Sequence, residues 1–134
     1  MFEMKQKVLF KHCDPAGIVF FPRYFEMMND CVEAFFDDVL DWPFETFHKN
    51  GGIPTAVITT TFTAPSRHGD RLVLRLIVKR IGRASIDYRM TAYCADEQRF
   101  EAEATLVYVD DAGESAPIPD TARLRITDFM KVSP

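Results

Sequence analysis

The chain has 134 residues, 47% of them hydrophobic and 27% charged, with a formal net charge of -4. That is enough for one domain over residues 1–134 with a sizeable core, and its scattered basic residues give no footprint for a nucleic-acid backbone. No apolar run could span a bilayer or form the core of a signal peptide, so a cytoplasmic protein with neither nucleic acid nor membrane as partner is expected.

The N-terminal strand is placed around Lys5 to Lys11. Residues 12–25 read HCDPAGIVFFPRYF. Within them Asp14, Pro15 and Gly17 occupy the first, second and fourth positions of a type I turn, with the Asp14 side chain free to bond the backbone ahead of it. From Tyr24 to Leu40 apolar residues recur at a three-four spacing (Tyr24, Met28, Cys31 or Val32, Phe35, Val39), opposite Glu26, Asp30, Glu33 and Asp37. This predicts one amphipathic helix, started near Phe21 to Arg23 by Pro22. Pro43, Gly51 and Gly52 mark the next stretch, DWPFETFHKNGG, as a loop with room for one helical turn.

The period then changes to two. Ala56, Ile58, Thr60 and Phe62 alternate with Val57, Thr59, Thr61 and Thr63 in a strand ending at Pro65. Three more strands carry Leu72, Leu74, Leu76 and Val78; Ile86, Tyr88, Met90, Ala92 and Cys94; and Phe100, Ala102, Ala104, Leu106 and Tyr108 on their apolar faces. The intervening turns, IGRA and ADEQ, are short enough for antiparallel hairpins. The tail IPDTARLRITDFM predicts a short helix capped by Asp120. One long helix and an antiparallel sheet with one apolar face make an α+β fold in which the sheet curls around the helix. Cys13, Cys31 and Cys94 form no CxxC pair and His12, His48 and His68 no metal-ligand spacing, so reduced, mostly buried thiols and no structural metal are expected.

The stretch 12–25 also reads as chemistry. Phe21 and Pro22 stand where a cap is usual and offer no side-chain oxygen to the free N–H groups of the first helical turn. That terminus carries about half a positive charge and favours an oxygen gaining negative charge. With Asp14 a few residues away and apolar IVFF beside it, the site suits acyl transfer. A thioester fits so sparse a set of groups, because a thiolate leaves readily, with a thiol pKa of about 8.5. No GxSxG elbow is present, so Asp14 would have to lead the hydrolysis.

This stretch resembles the DCDPAGIV signature, followed by aromatic, proline and tyrosine, of the 4-hydroxybenzoyl-CoA thioesterase family. The likeness is close over the motif and its helix and looser over nearly the whole chain. It implies a hotdog fold, one long helix wrapped by a curved antiparallel sheet of five or six strands. Such proteins pair through their sheets as dimers, often assemble into homotetramers, and place the active site at the subunit interface. Asp14 then matches the catalytic aspartate, as nucleophile or general base; the Phe21 backbone N–H matches the group that polarises the thioester carbonyl; and Gly17 matches the motif glycine.

Coenzyme A phosphates would meet the KRIGRAS hairpin, where Arg83 and Ser85 fit the substrate-binding positions with Lys79 and Arg80 nearby. Tyr24, with Phe25, Met27 and Met28, is expected to serve core and pocket. The acidic residue of the signature two before the aspartate is His12 here. His12 as a base and Cys13 as a nucleophile both yield to structural readings, and Glu26, Asp30 and Glu33 are reserve carboxylates. The expected function is hydrolysis of an aryl or short- to medium-chain acyl-CoA, needing no cofactor. The alternatives are a hydratase or dehydratase of acyl thioesters and a non-catalytic acyl-CoA-binding module.

Overall fold

A computed structural model describes residues 1–132. In chain order it contains β1 (Phe2–Lys7), a single 3-10 turn (Phe10–His12), α1 (Phe21–Asp38), α2 (Phe44–Phe47), β2 (Gly51–Gly52) and β3 (Thr55–Phe62). There follow β4 (Arg71–Ile81), β5 (Ser85–Cys94), β6 (Glu97–Val107), β7 (Val109–Asp110) and α3 (Asp120–Val132). Five strands form one antiparallel sheet in the order β1-β4-β5-β6-β3, and β2 pairs with β7 in a two-stranded ribbon.

The alternation read from the sequence sets the inner face. Leu72, Leu74, Leu76 and Val78 of β4, Ile86, Tyr88, Met90 and Ala92 of β5, and Phe100, Ala102, Ala104 and Leu106 of β6 are all buried. Against them α1 lays Tyr24, Met27, Met28, Cys31, Val32, Phe35 and Phe36, one stripe at helical spacing. α3 closes the far end of this core: the Phe129 ring stands 4.8 Å from Phe35, and Arg125 donates from Nη1 to the Leu40 carbonyl at 2.9 Å.

Three expectations change in detail. The first strand lies earlier than Lys5 to Lys11: Val8 leaves the ladder to give its N–H to the Asp70 carbonyl, and Phe10 to His12 close a turn instead. The terminal helix is 13 residues long and Asp120 is its first residue rather than its cap, since the Arg123 N–H donates to the Pro119 carbonyl. There Asp120 still complements the helix dipole. Of the three thiols, Cys31 is buried and pushed up to about 12 by desolvation, whereas Cys13 and Cys94 are half-buried.

β3 is the strand that was expected, and it lies at the sheet edge with most of its residues exposed. There Val57, Ile58 and Phe62 are 59%, 39% and 42% exposed, although the Phe62 ring packs against Phe21, Tyr24 and Phe25 of α1. Among the described residues no helix is long and apolar enough to cross a membrane.

Candidate active site

The local chemistry of residues 13–19 makes a small hairpin. Cys13 and Val19 form an antiparallel bridge, and the Asp14 N–H donates to the Ile18 carbonyl at 2.9 Å. Between them the Gly17 N–H returns to the Asp14 carbonyl at 2.9 Å, and the Ala16 N–H donates to Asp14 Oδ1 at 2.9 Å. Gly17 has φ 80°, the left-handed residue that follows a tight turn when a three-residue loop closes a hairpin. The turn reading and the site reading therefore coexist: the turn fixes one carboxylate oxygen and leaves Oδ2 without a partner among the described residues. Asp14 as a whole residue is half-buried.

The next residues build the start of α1. Phe20 is its N-cap, in extended conformation and with no side-chain hydrogen bond. Pro22 has no N–H, and the Arg23 N–H folds back onto the Phe20 carbonyl at 2.8 Å. The Phe21 amide meets no acceptor among the described residues, as expected of an uncapped helix start. Two backbone bonds tie this start to the 3-10 turn and to the loop between β3 and β4, Phe20 N–H to the His12 carbonyl at 2.9 Å and Val19 N–H to the Ser66 carbonyl at 2.8 Å.

A polar hub not anticipated from the sequence stands beneath them. Ser66 is fully buried; its Oγ accepts from the Tyr24 hydroxyl at 2.8 Å and from Arg99 Nη1 at 3.1 Å. Arg99 also donates to the Pro65 carbonyl at 3.1 Å and to Asp70 Oδ2 at 2.7 Å. Its Nε lies 2.9 Å from Glu97 Oε1, an ion-pair contact without hydrogen-bond alignment. The Arg67 N–H and Arg99 hold the Asp70 carboxyl below its ordinary value, while burial raises the Tyr24 hydroxyl. Strict alternation would turn Arg99 outward. A register shift at Ala92/Tyr93 in the β5–β6 pairing lets Arg99 and Phe100 both face inward.

Two apolar hollows flank the helix start. One of about 460 Å³ is lined by Ile18, Phe21, Tyr24, Phe62 and Pro65. The other, about 670 Å³, lies between α1 and the loop before β3; Phe25, Met28, Phe44, Ile53 and Ile58 line it, with Asn29 and His48 as polar members. The Phe25 and Phe62 rings, 6.1 Å apart, stand between the two. Asp14 lines neither hollow within one chain, whereas Phe21 and Tyr24 line the first. His48 and Ile53 escaped the sequence reading because they belong to a loop without periodicity.

Arg83 and Ser85 are not brought to Asp14 within the chain. Their hairpin is at the end of the sheet where Ser85 pairs with Val107, while the Asp14 turn is anchored near Phe100 and Ser66. Seven residues of β6 separate these levels, roughly 23 Å at 3.3 Å per residue. The Arg83 backbone is held by Ile118 and Arg123, and its guanidinium has no partner among the described residues. Lys79 is paired to Glu103 at 2.8 Å on the outer face of the sheet. Glu26 pairs with Arg23 at 3.0 Å on the helix surface, and Glu33 is exposed one turn beyond Asp30. No group of three or more His, Cys, Asp or Glu among the described residues could hold a metal ion.

Comparison with known proteins agrees with this layout. The chain superposes on the 1,4-dihydroxy-2-naphthoyl-CoA thioesterase Slr0204 from Synechocystis with TM-score 0.88 and 20% identity, covering 96% of each chain. It superposes on the gentisyl-coenzyme A thioesterase BH1999 with TM-score 0.86 and 24% identity, covering 93% of this chain and 99% of that one. A third match, a thioesterase from Thermus thermophilus complexed with coenzyme A and Zn, has TM-score 0.84 and 22% identity over 98% and 95% of the two chains. These likenesses establish the hotdog fold. A family model described as the thioesterase-like superfamily matches residues 8–126, and the chain therefore belongs to that superfamily.

Proposed function

We propose that the protein hydrolyses an acyl-CoA thioester to the free acid and coenzyme A, within the narrower 4-hydroxybenzoyl-CoA thioesterase family that residues 12–25 resemble. The observation that carries this reading is the short hairpin that leaves one oxygen of Asp14 unbonded and leads directly into a helix whose first amide is unsatisfied. Two routes use these groups. As general base, Asp14 takes a proton from water while the water oxygen bonds to the thioester carbon. As nucleophile, Asp14 bonds to that carbon itself, giving a mixed anhydride that water then opens. In both, the carbonyl oxygen gains charge beside the Phe21 N–H, the C–S bond breaks and the thiolate leaves with the electron pair. No cofactor is required.

The apolar hollows suit an aryl or short- to medium-chain acyl group, and two of the structural neighbours carry aryl-CoA names. Coenzyme A belongs with Arg83 and Ser85, and the position of those residues in the sheet argues for a second copy. The β3 edge is eight residues long, uncharged and exposed, an edge open to pairing. Antiparallel pairing along it reverses the partner sheet, so the hairpin end of one copy lies beside the Asp14 end of the other. A homodimer, or a homotetramer made of two such dimers, then completes the site. A screen of aryl, short and long acyl-CoAs for free thiol release tests the reading: loss of release in Asp14→Asn with unchanged folding is expected, and unchanged turnover removes Asp14 from the mechanism.

A further inference from the structure

We propose that His12 is a positioning residue that works only while uncharged, its ring and its carbonyl holding the two backbone amides that set the Asp14 turn against the start of α1. This rests on the acyl-CoA hydrolase reading above for its functional consequence, but not for its physical test.

His12 is 6% exposed, and its Nδ1 accepts the Leu9 N–H at 2.8 Å. An imidazole that accepts at Nδ1 carries its proton on Nε2; an imidazolium presents N–H at both nitrogens and cannot accept at all. Protonation therefore sets one N–H against another inside a buried turn. The same residue's carbonyl accepts the Phe20 N–H at 2.9 Å, so a ring that swings out carries with it the strap that adjoins Phe21 on one side and Asp14 on the other. Both candidate reacting groups are thus tied to one histidine two residues from the carboxylate.

The charged surroundings of the ring are mixed. On its own segment stands Lys11, with the half-buried Cys13 beyond; from α1 come Arg23, Glu26 and Asp30, of which Arg23 and Glu26 are paired to each other at 3.0 Å. Burial, followed by Lys11, holds the ring below the ordinary histidine value of 6.5, with Arg23 acting the same way and Glu26 and Asp30 opposing. A hollow of about 650 Å³ between the strap and α1, lined by His12 and these α1 residues, gives solvent protons access to the ring. The position is also where the chain departs from the signature it resembles. A carboxylate there could accept the same N–H without a charge change near neutral pH. Histidine makes the bond conditional.

Asparagine places Oδ1 where His12 has Nδ1, so His12→Asn keeps the acceptor and removes the titration. The experiment is a pH titration of backbone amides by NMR, with the acyl-CoA rate measured in parallel. In the native chain the Leu9, Asp14, Gly17, Phe20 and Phe21 amides should shift together with the His12 ring below pH 6.5, and in His12→Asn they should stay in place over that interval. The rate should fall on the same acid limb in the native enzyme, lose that limb in His12→Asn, and drop about 10- to 100-fold at all pH values in His12→Ala. Amides of residues 14–21 that do not move while the ring titrates overturn the proposal, as does an unchanged acid limb in His12→Asn. Coupled amide shifts in a protein that releases no thiol from any acyl-CoA would support the role of His12 and overturn the hydrolase reading alone.

Discussion

The two ends of the sheet are built in opposite ways. At the Asp14 end, side chains are spent on structure: Tyr24, Ser66, Arg99 and Asp70 are joined by hydrogen bonds, and the turn holds one Asp14 carboxylate oxygen while the other has no partner among the described residues. At the β4–β5 hairpin end the backbone is held instead, by the Ile118 N–H and by Arg123 Nη2 on the Gly82 and Arg83 carbonyls at 2.9 and 2.8 Å, which leaves the Arg83 side chain uncommitted. The first arrangement fixes one group through backbone hydrogen bonds, as the proposed chemistry at a carbonyl requires. The second leaves a cation without a partner among the described residues on a held backbone, which suits the proposed phosphate contact.

Breaking this contrast should give effects of graded size. Asp14→Asn should lower kcat about 10²- to 10⁴-fold with an unchanged unfolding curve, measured by thiol release and urea denaturation. Placing lysines on the β3 edge, Val57→Lys with Thr59→Lys, should reduce the particle mass on light scattering to that of one chain and lower acyl-CoA turnover by about tenfold or more, because the proposed dimer that joins the two ends is then lost. Full activity in a monomer would show that each chain holds a complete site. Ser66→Ala should destabilise the fold by about 1–3 kcal/mol, since it strips acceptors from the buried Tyr24 hydroxyl and Arg99, and should lower kcat more than it raises KM.

At the opposite end Arg83→Ala should raise KM for an acyl-CoA about tenfold while leaving kcat, stability and the KM for a thioester lacking the nucleotide unchanged. The smallest effect concerns acid stability. Asp70 is held below its ordinary value of 3.8 by the Arg67 N–H and Arg99, so its contribution is present above about pH 4 and is lost as pH falls through the lowered value. In Asp70→Asn the protein should be less stable near neutrality and the decline of stability below pH 4 should be shallower, which circular dichroism at stepped pH will show.

The inner faces of β4, β5 and β6 and the buried stripe of α1 were legible because each rests on a local period, two for a strand and 3.6 for a helix. The turn at Asp14 was legible for a similar reason, since Asp, Pro and Gly at fixed offsets carry their own backbone preferences. β3 was legible as a strand from its alternation, but not its place at the exposed edge of the sheet, which depends on strand order. Arg99 was unreadable for another reason: it is the extra residue where two steps of β6, Gln98 to Phe100, face one step of β5, Tyr93 to Ala92, and alternation does not show where such a bulge falls. Ser66 carries no period at all.

Short-range chemistry in the sequence thus determined the helix, the strands, the hairpin that presents Asp14 and the uncapped start beside it, because each depends on residues within a few positions of one another. Tertiary structure alone decided that Ser66 and Arg99 would meet under Tyr24, that β3 would stand at the sheet edge, and that Arg83 would stand a sheet's length from Asp14. Those outcomes depend on which distant segments become neighbours, and that is set by the packing of the whole core rather than by any single stretch of chain.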